Sequence, residues 1–436
     1  MHRVLKLADL FVIAAASIGP AFSLATIFGP MVAVGGSGTP LALAIVAAIM
    51  ICVALAYRRL GERHPDAGSA YAWVRIAFGP AAGAYAGWVL IVANIFAVVA
   101  TSMPAGTYTL SLLAPGLVDT PFADALVGAG WVLAAGTLLY FGLRPTARVT
   151  YVLLVAELVI LAVVATAALL HPVVSHAVAT VALPGVYALV PAIVIGIWMI
   201  DGWEVSASTA EESEGSPQTP GLGGLTGLLV SAAVLGLCMT AFMRVGTLDG
   251  YAAHVGDAMG FVGSILGGKA WRLAISIVVL VSLAASLQTT LVYLTRSFFA
   301  LGRDRVLPGA LGRLDHRRQP AAGVALITIL GIVFTLVSGL SPTLKMAFDF
   351  ILGGTSFFLG ALFLMSAAAA VRIFASERTA RIDGMLLPGL AVVALAVVLG
   401  FSLVQGTLGN RIFILGSAAV GIPLAWWRGR ASAAIV

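Results

Sequence analysis

The 436-residue chain is 61% hydrophobic and only 10% charged, with a mean hydropathy of +1.07. That composition excludes an ordinary soluble domain and defines a polytopic membrane protein. Its formal charge of +6 reads as membrane topology and contact with anionic lipid, with no indication of nucleic-acid binding.

A hydrocarbon core about 30 Å thick takes about 20 apolar residues per helix. About twelve stretches meet this, near 10–34, 40–57, 81–113, 122–142, 145–170, 186–212, 221–243, 270–300, 321–340, 344–371, 384–405 and 411–427. The first follows Arg3 and Lys6 and runs to about Val34 with no convincing cleavage site, so it is expected to be a span and not a signal peptide. The third, eighth and tenth exceed the minimum length and are expected to tilt or to extend into water. Cys52 and Cys238 both fall within spans, which argues against a disulfide scaffold or a Cys-based metal site. Of the 24 Lys and Arg, all but Arg244, Lys269, Arg272, Lys345 and Arg411 fall on one side. Cytoplasmic loops retain positive charge, so both termini are expected inside the cell.

Two of the spans are interrupted. The first breaks at Ser17-Ile18-Gly19-Pro20-Ala21, and the sixth, five spans later, at Asp201-Gly202. Each break alone has a plain reading as a kink. Paired in corresponding positions, they point to an inverted repeat with a binding site between its halves. The repeats are expected at about 9–170 and 186–371, with two extra helices at about 384–427, in one transmembrane domain. A charged side chain at the centre of a membrane helix costs about 2.5–3.5 kcal/mol, so Asp201 and Glu204 need a cavity, a partner or a proton. Trp198 and Trp203 flank that break and can stack on a ligand or serve as packing.

Three loop motifs follow in order, each at an expected cytoplasmic end. They are Leu60-Gly61-Glu62-Arg63-His64-Pro65-Asp66-Ala67-Gly68-Ser69-Ala70-Tyr71, then Ala210-Glu211-Glu212 with Pro217 and Pro220, then Gly302-Arg303-Asp304-Arg305-Val306-Leu307-Pro308. Short Pro and Gly punctuation is common in loops, but together these motifs resemble the amino acid, polyamine and organocation transporter superfamily, over essentially the whole chain. The resemblance implies an all-α polytopic membrane fold: a five-plus-five inverted repeat with two C-terminal helices, the first and sixth spans broken. In the residues themselves, Pro65 and Gly68 turn the chain, and Arg303, Asp304 and Arg305 are candidates to pair with acidic residues at a cytoplasmic gate, against the plainer reading of Arg303 and Arg305 as topology-setting charge.

The departures from that family bear on the solute. Many of its amino acid carriers have Gly-Ser-Gly at the first break, whose free N–H groups cradle a substrate carboxylate. Here the triplet is Gly19-Pro20-Ala21, a poorer nest because proline lacks the donor and alanine restricts the backbone. Asp201 stands where many relatives are uncharged, and an acidic group favours a cationic amine. Glu157 stands where proton-coupled relatives often have lysine; it is a candidate coupling group, against the reading of a permanently neutral acid bonded to Asn94 or Gln288. Ser23, Thr289 and Thr290 are weaker candidates for lining the site or replacing a sodium position, because such hydroxyls commonly bond their own helix. The histidines show no metal-ligand spacing.

The functional expectation is a secondary active permease of the bacterial cytoplasmic membrane for amino acids or related small amines, working by alternating access and coupled to protons. Substrate contacts are expected at Ser17, Gly19, Ala21, Asp201, Gly202 and Trp203, with Trp198 as an aromatic gate and Glu157 and Glu204 as coupling groups. No cofactor or metal is expected. A polyamine or amine exchanger and a non-transporting sensor on the same fold are the alternatives. A membrane enzyme or an ATP-driven pump is disfavoured by the lack of Gly-x-Ser-x-Gly, His-Glu-x-x-His and Walker sequences.

Overall fold

The computed structural model describes residues 3–118, 120–173 and 186–433. Its α-helices in chain order are α1 (Leu7–Ile18), α2 (Pro20–Thr26), α3 (Phe28–Gly35), α4 (Thr39–Arg63), α5 (Ala70–Phe78), α6 (Pro80–Leu113), α7 (Pro121–Tyr140), α8 (Leu143–Leu170) and α9 (Val186–Met199). They continue as α10 (Val205–Ser208), α11 (Thr219–Val245), α12 (Leu248–Ala253), α13 (Ala258–Gly267), α14 (Lys269–Arg303), α15 (Ala321–Ser338), α16 (Leu344–Phe374), α17 (Leu387–Gln405) and α18 (Leu408–Ala433). Among the described residues there is no strand, only an isolated parallel bridge between Leu5 and Ser213.

Proline sets many of the helix starts. Pro20, Pro40, Pro80, Pro121, Pro220 and Pro388 open α2, α4, α6, α7, α11 and α17, where a missing N–H costs nothing. Eleven segments among the described residues are long and apolar enough to cross a membrane. The expected sixth span is not among them: within the described residues its helix is α9, Val186–Met199, about 21 Å against a core of about 30 Å. It is interrupted, then resumes as the single turn α10. The first expected span likewise divides, into α1, α2 and α3. Three short helices, α5, α12 and α13, occupy stretches expected to be loops.

The helices sort by burial. From Ala285 to Gly302 every residue of α14 is buried, and α1 is buried from Val12 to Ile18; a helix covered all round is a core helix. Crossings near the centre use small residues: Gly223 and Gly227 of α11 lie against Leu10 and Ala14 of α1, and Gly128 of α7 against Ser102 of α6, so the backbones approach closely. On the periphery, α7, α8, α15, α17 and α18 expose large apolar side chains such as Leu133, Val152, Ile329, Val393 and Leu415. Such a belt suits lipid, whose tails cannot hydrogen-bond and need not be avoided by leucine. This is a multi-pass membrane protein with two broken helices at its centre.

Candidate functional site

At the first break, α1 ends on Gly19 in the left-handed region (φ 58°, ψ 69°), and the same glycine caps α2. Glycine adopts that conformation without the steric cost of a Cβ. The new helix starts with Pro20, so its first free amide belongs to Ala21. Ala21 N–H donates to Glu157 Oε1 of α8 at 2.7 Å. Phe22 N–H donates to Ser282 Oγ at 3.1 Å, and that hydroxyl donates to the same Glu157 oxygen at 2.8 Å. Carboxylates are favourable at a helix N-terminus because its amides carry partial positive charge. Glu157 Oε2 is buried and has no hydrogen-bond partner among the described residues.

At the second break, α9 stops at Met199 and Gly202 takes φ 101°. Gly202 N–H donates to Glu204 Oε2 at 2.9 Å. The two breaks touch: a Cβ on Gly202 would lie 2.8 Å from both the carbonyl carbon and the Oγ of Ser17. Ser286 Oγ of α14 donates to Ser17 O at 2.9 Å and ties the first break to the core helix.

Between the breaks lies a cavity lined by Ser17, Ile18, Phe22, Asn94, Ala97, Trp198, Asp201, Gly202, Glu204, Val205, Ser286 and Thr290. Its free space, about 20 Å³, takes about one water. The conformation is therefore occluded, with no room for an amino acid. Phe22 and Trp198 meet edge to face across it, centroids 6.3 Å apart.

Of the residues expected at the site, Ser17, Asp201, Gly202, Trp198 and Glu204 come together around this cavity. Gly19 lies against Ser282 and Ser286, and Ala21 is turned to Glu157, behind the lining. Trp203 faces elsewhere: it stacks on Phe363 at 5.6 Å and meets Tyr57 edge-on at 5.0 Å. Asn94 and Gln288 do not bond Glu157. The Asn94 amide donates to Leu90 O, and Gln288 Nε2 has no partner among the described residues. Thr289 and Thr290 donate to backbone carbonyls of α14, and Ser23 of α2 donates across the break to Ile18 O at the end of α1. Sequence reasoning passed over Ser282 and Ser286, although Ser282, Ser286 and Thr290 recur every fourth residue and so share one face of α14.

The three loop motifs converge in space. Arg303 pairs with Asp66 and with Glu211, each at 2.7 Å, and Glu211 also accepts from Ala67 N–H. Asp304 accepts from Tyr71 OH at 3.0 Å and pairs with Arg75 at 2.7 Å. Arg305, in a left-handed turn (φ 58°), makes no ion pair among the described residues. Deeper in, fully buried Arg296 holds Glu212 with two bonds, of 2.9 and 3.1 Å. The chain start closes over this end: Val4 and Leu5 amides donate to Glu212 O, and Glu214 N–H to Leu5 O.

A bundle of membrane-crossing helices, with two unwound segments meeting at an occluded polar cavity, defines the class as a transporter. Residues 5–424 match the family model described as amino acid permease, and the chain belongs to that family, within the amino acid, polyamine and organocation superfamily. It is similar to a branched-chain amino acid permease of Lactococcus lactis subsp. cremoris (strain MG1363), 27% identical over 68% of each chain. It is also similar to a branched-chain amino acid permease of Bacillus subtilis (strain 168), 26% identical over 71% of this chain and 70% of the relative. An uncharacterized transporter of Mycobacterium tuberculosis (strain ATCC 25618 / H37Rv) is 25% identical over 97% of this chain and 91% of its own.

Proposed function

We propose that the protein is a secondary active permease of the bacterial cytoplasmic membrane, carrying amino acids or related small amines by alternating access with proton coupling. The observation that carries this reading is the contact of Gly202 with Ser17. Two unwound segments from distant parts of the chain meet where a solute would be held, so movement of one is felt by the other. The halves at about 9–170 and 186–371, with helices at about 384–427 added, then rock about that point. Both termini and the three converging motifs lie in the cytoplasm, by the distribution of Lys and Arg.

Each proposed residue has a task. Ser17, Asp201 and Gly202 form the binding region, Gly19 and Ala21 support it from behind while Trp203 packs away from it on Phe363, Trp198 closes it with Phe22, and Arg303 with Asp304 fastens the cytoplasmic end. Glu157 carries the coupling proton on Oε2. Its Oε1 stays an acceptor for Ala21 N–H and Ser282 in either protonation state, so the proton changes charge without dismantling the helix cap. Glu204, bonded to Gly202 N–H, passes a charge change to the second break. The relatives named as branched-chain amino acid permeases support leucine, isoleucine and valine as first solutes to try.

The test is uptake into proteoliposomes of labelled leucine, then of a panel of amino acids and amines, on an imposed pH gradient. Accumulation that a protonophore abolishes is expected. Saturable binding with no uptake would replace the carrier with a sensor, and gradient-independent exchange would remove the proton.

A further inference from the structure

The amides that a solute's carboxylate would need at the two breaks are already taken by carboxylates of the chain. Ala21 N–H, the first donor after Pro20, is held by Glu157 at 2.7 Å. Phe22 N–H is held by Ser282, which donates to the same Glu157 oxygen. Across the cavity, Gly202 N–H is held by Glu204 at 2.9 Å. Asp201 and Glu204 line the cavity, and among the described residues no Lys, Arg or His does. An acid group arriving there would find its donors occupied and further acidic side chains around it, with no cationic side chain in that described lining to offset its charge.

An ammonium group meets the opposite conditions. Its three donors can be shared among the carboxylates of Asp201 and Glu204 and the hydroxyl oxygens of Ser17 and Thr290, which line the same space. Phe22 and Trp198 supply aromatic walls that favour a cation. The indole N–H of Trp198 is buried and unpartnered among the described residues, so the lining also keeps a donor unspent for an acceptor on the solute, such as a hydroxyl. Resting on the permease reading above, we propose that the solute is a cationic amine without a carboxylate, and that Glu157 stands permanently where a solute carboxylate would otherwise dock.

The test compares each amino acid with the amine left by removing its carboxylate: leucine with isopentylamine, valine with isobutylamine, lysine with cadaverine. Binding to the purified full chain is read by thermal shift and titration, with uptake of labelled leucine and cadaverine measured in parallel. The expected result is that each amine binds at least tenfold more tightly than its amino acid, and that cadaverine is taken up in preference to leucine. Amino acids that bind as tightly as their amines, with leucine accumulated, overturn the proposal and leave the permease reading intact. No binding and no uptake of any member overturns both. Glu157→Ala, which frees Ala21 N–H, should narrow the amine preference at least tenfold. A folded variant that keeps the wild-type ratio would remove Glu157 from this role, and the wild-type pairs decide the solute class even if the variant does not fold.

Discussion

Gly202 and Ser17 sit in different broken helices, 185 positions apart in number, with no space between them for a methyl group: an added Cβ would stand 2.8 Å from Ser17 Oγ. Close-packed interiors pass such contacts on as discrete rearrangements and do not absorb them smoothly. The contact therefore sets the two unwound segments directly against each other, and Ser286, bonded to Ser17 O, ties the first of them to α14.

Gly202→Ala should be damaging for two reasons that add. The residue has φ 101°, where a side chain costs about 1–3 kcal/mol, and the new methyl would push Ser17 aside. Uptake is expected to fall more than tenfold with a lowered melting temperature. Wild-type transport by this variant would show that the breaks move apart freely.

The two arginine clusters should respond differently. Arg303 is about one-third exposed, and such pairs are worth about 0–1 kcal/mol each. Arg303→Ala should leave the protein folded while favouring opening at the Arg303 end by about 1 kcal/mol, roughly fivefold. Faster labelling of a cysteine at Ser17 from that side of the membrane would report it. Arg296→Ala strands fully buried Glu212 and should cost about 3–5 kcal/mol. Equal melting temperatures for the two variants would contradict this division.

Asp66 gives a pH signature in its loop. Burial, the largest influence, pushes its carboxyl above the ordinary 3.8 despite the Gly68 amide and Arg303. A folded state that holds the proton more tightly is favoured below the unfolded value and loses that advantage as pH rises through the folded value. The melting-temperature difference between wild type and Asp66→Asn should therefore shift against wild type as pH rises from about 4. A difference moving the other way would mean that the Arg303 pair outweighs burial.

Orientation can be read from the ends of one helix. Helix α14 spans 35 residues, about 52 Å, so Lys269 and the loop after Arg303 lie on opposite sides of a bilayer. Lys269 and Arg313 are both exposed. In intact cells an impermeant thiol reagent should label a cysteine at Lys269 and spare one at Arg313. The reverse pattern would invert the topology.

The spans and the two breaks were legible in the sequence because apolar length and the pairs Gly19-Pro20 and Asp201-Gly202 are local properties. The direction of Trp203 was not. Gly202 has left-handed backbone, which takes the next side chain out of helical phase and turns Trp203 toward Phe363 and Tyr57, away from the cavity. Helices α12 and α13 are too short to show in an apolar window. The partnership of Arg296 with Glu212 and that of Glu157 with Ala21 depend on which helices pack together, and spacing along the chain carries no trace of it.

Glu157→Gln separates capping from coupling. The carboxamide oxygen can accept from Ala21 N–H and Ser282 as Oε1 does, while the amide nitrogen takes the place of the unpartnered Oε2. The variant keeps the shape of the protonated acid and cannot change charge. If Glu157 takes up and releases the coupling proton, gradient-driven accumulation should be abolished in proteoliposomes, and uptake should lose the pH dependence that the wild type shows. Counterflow of solute down its own gradient needs no proton cycle and should persist. A variant that still concentrates solute on an imposed proton gradient, with the wild-type pH response, would leave Glu157 as a cap for α2 alone and move the coupling proton to Glu204 or Asp201.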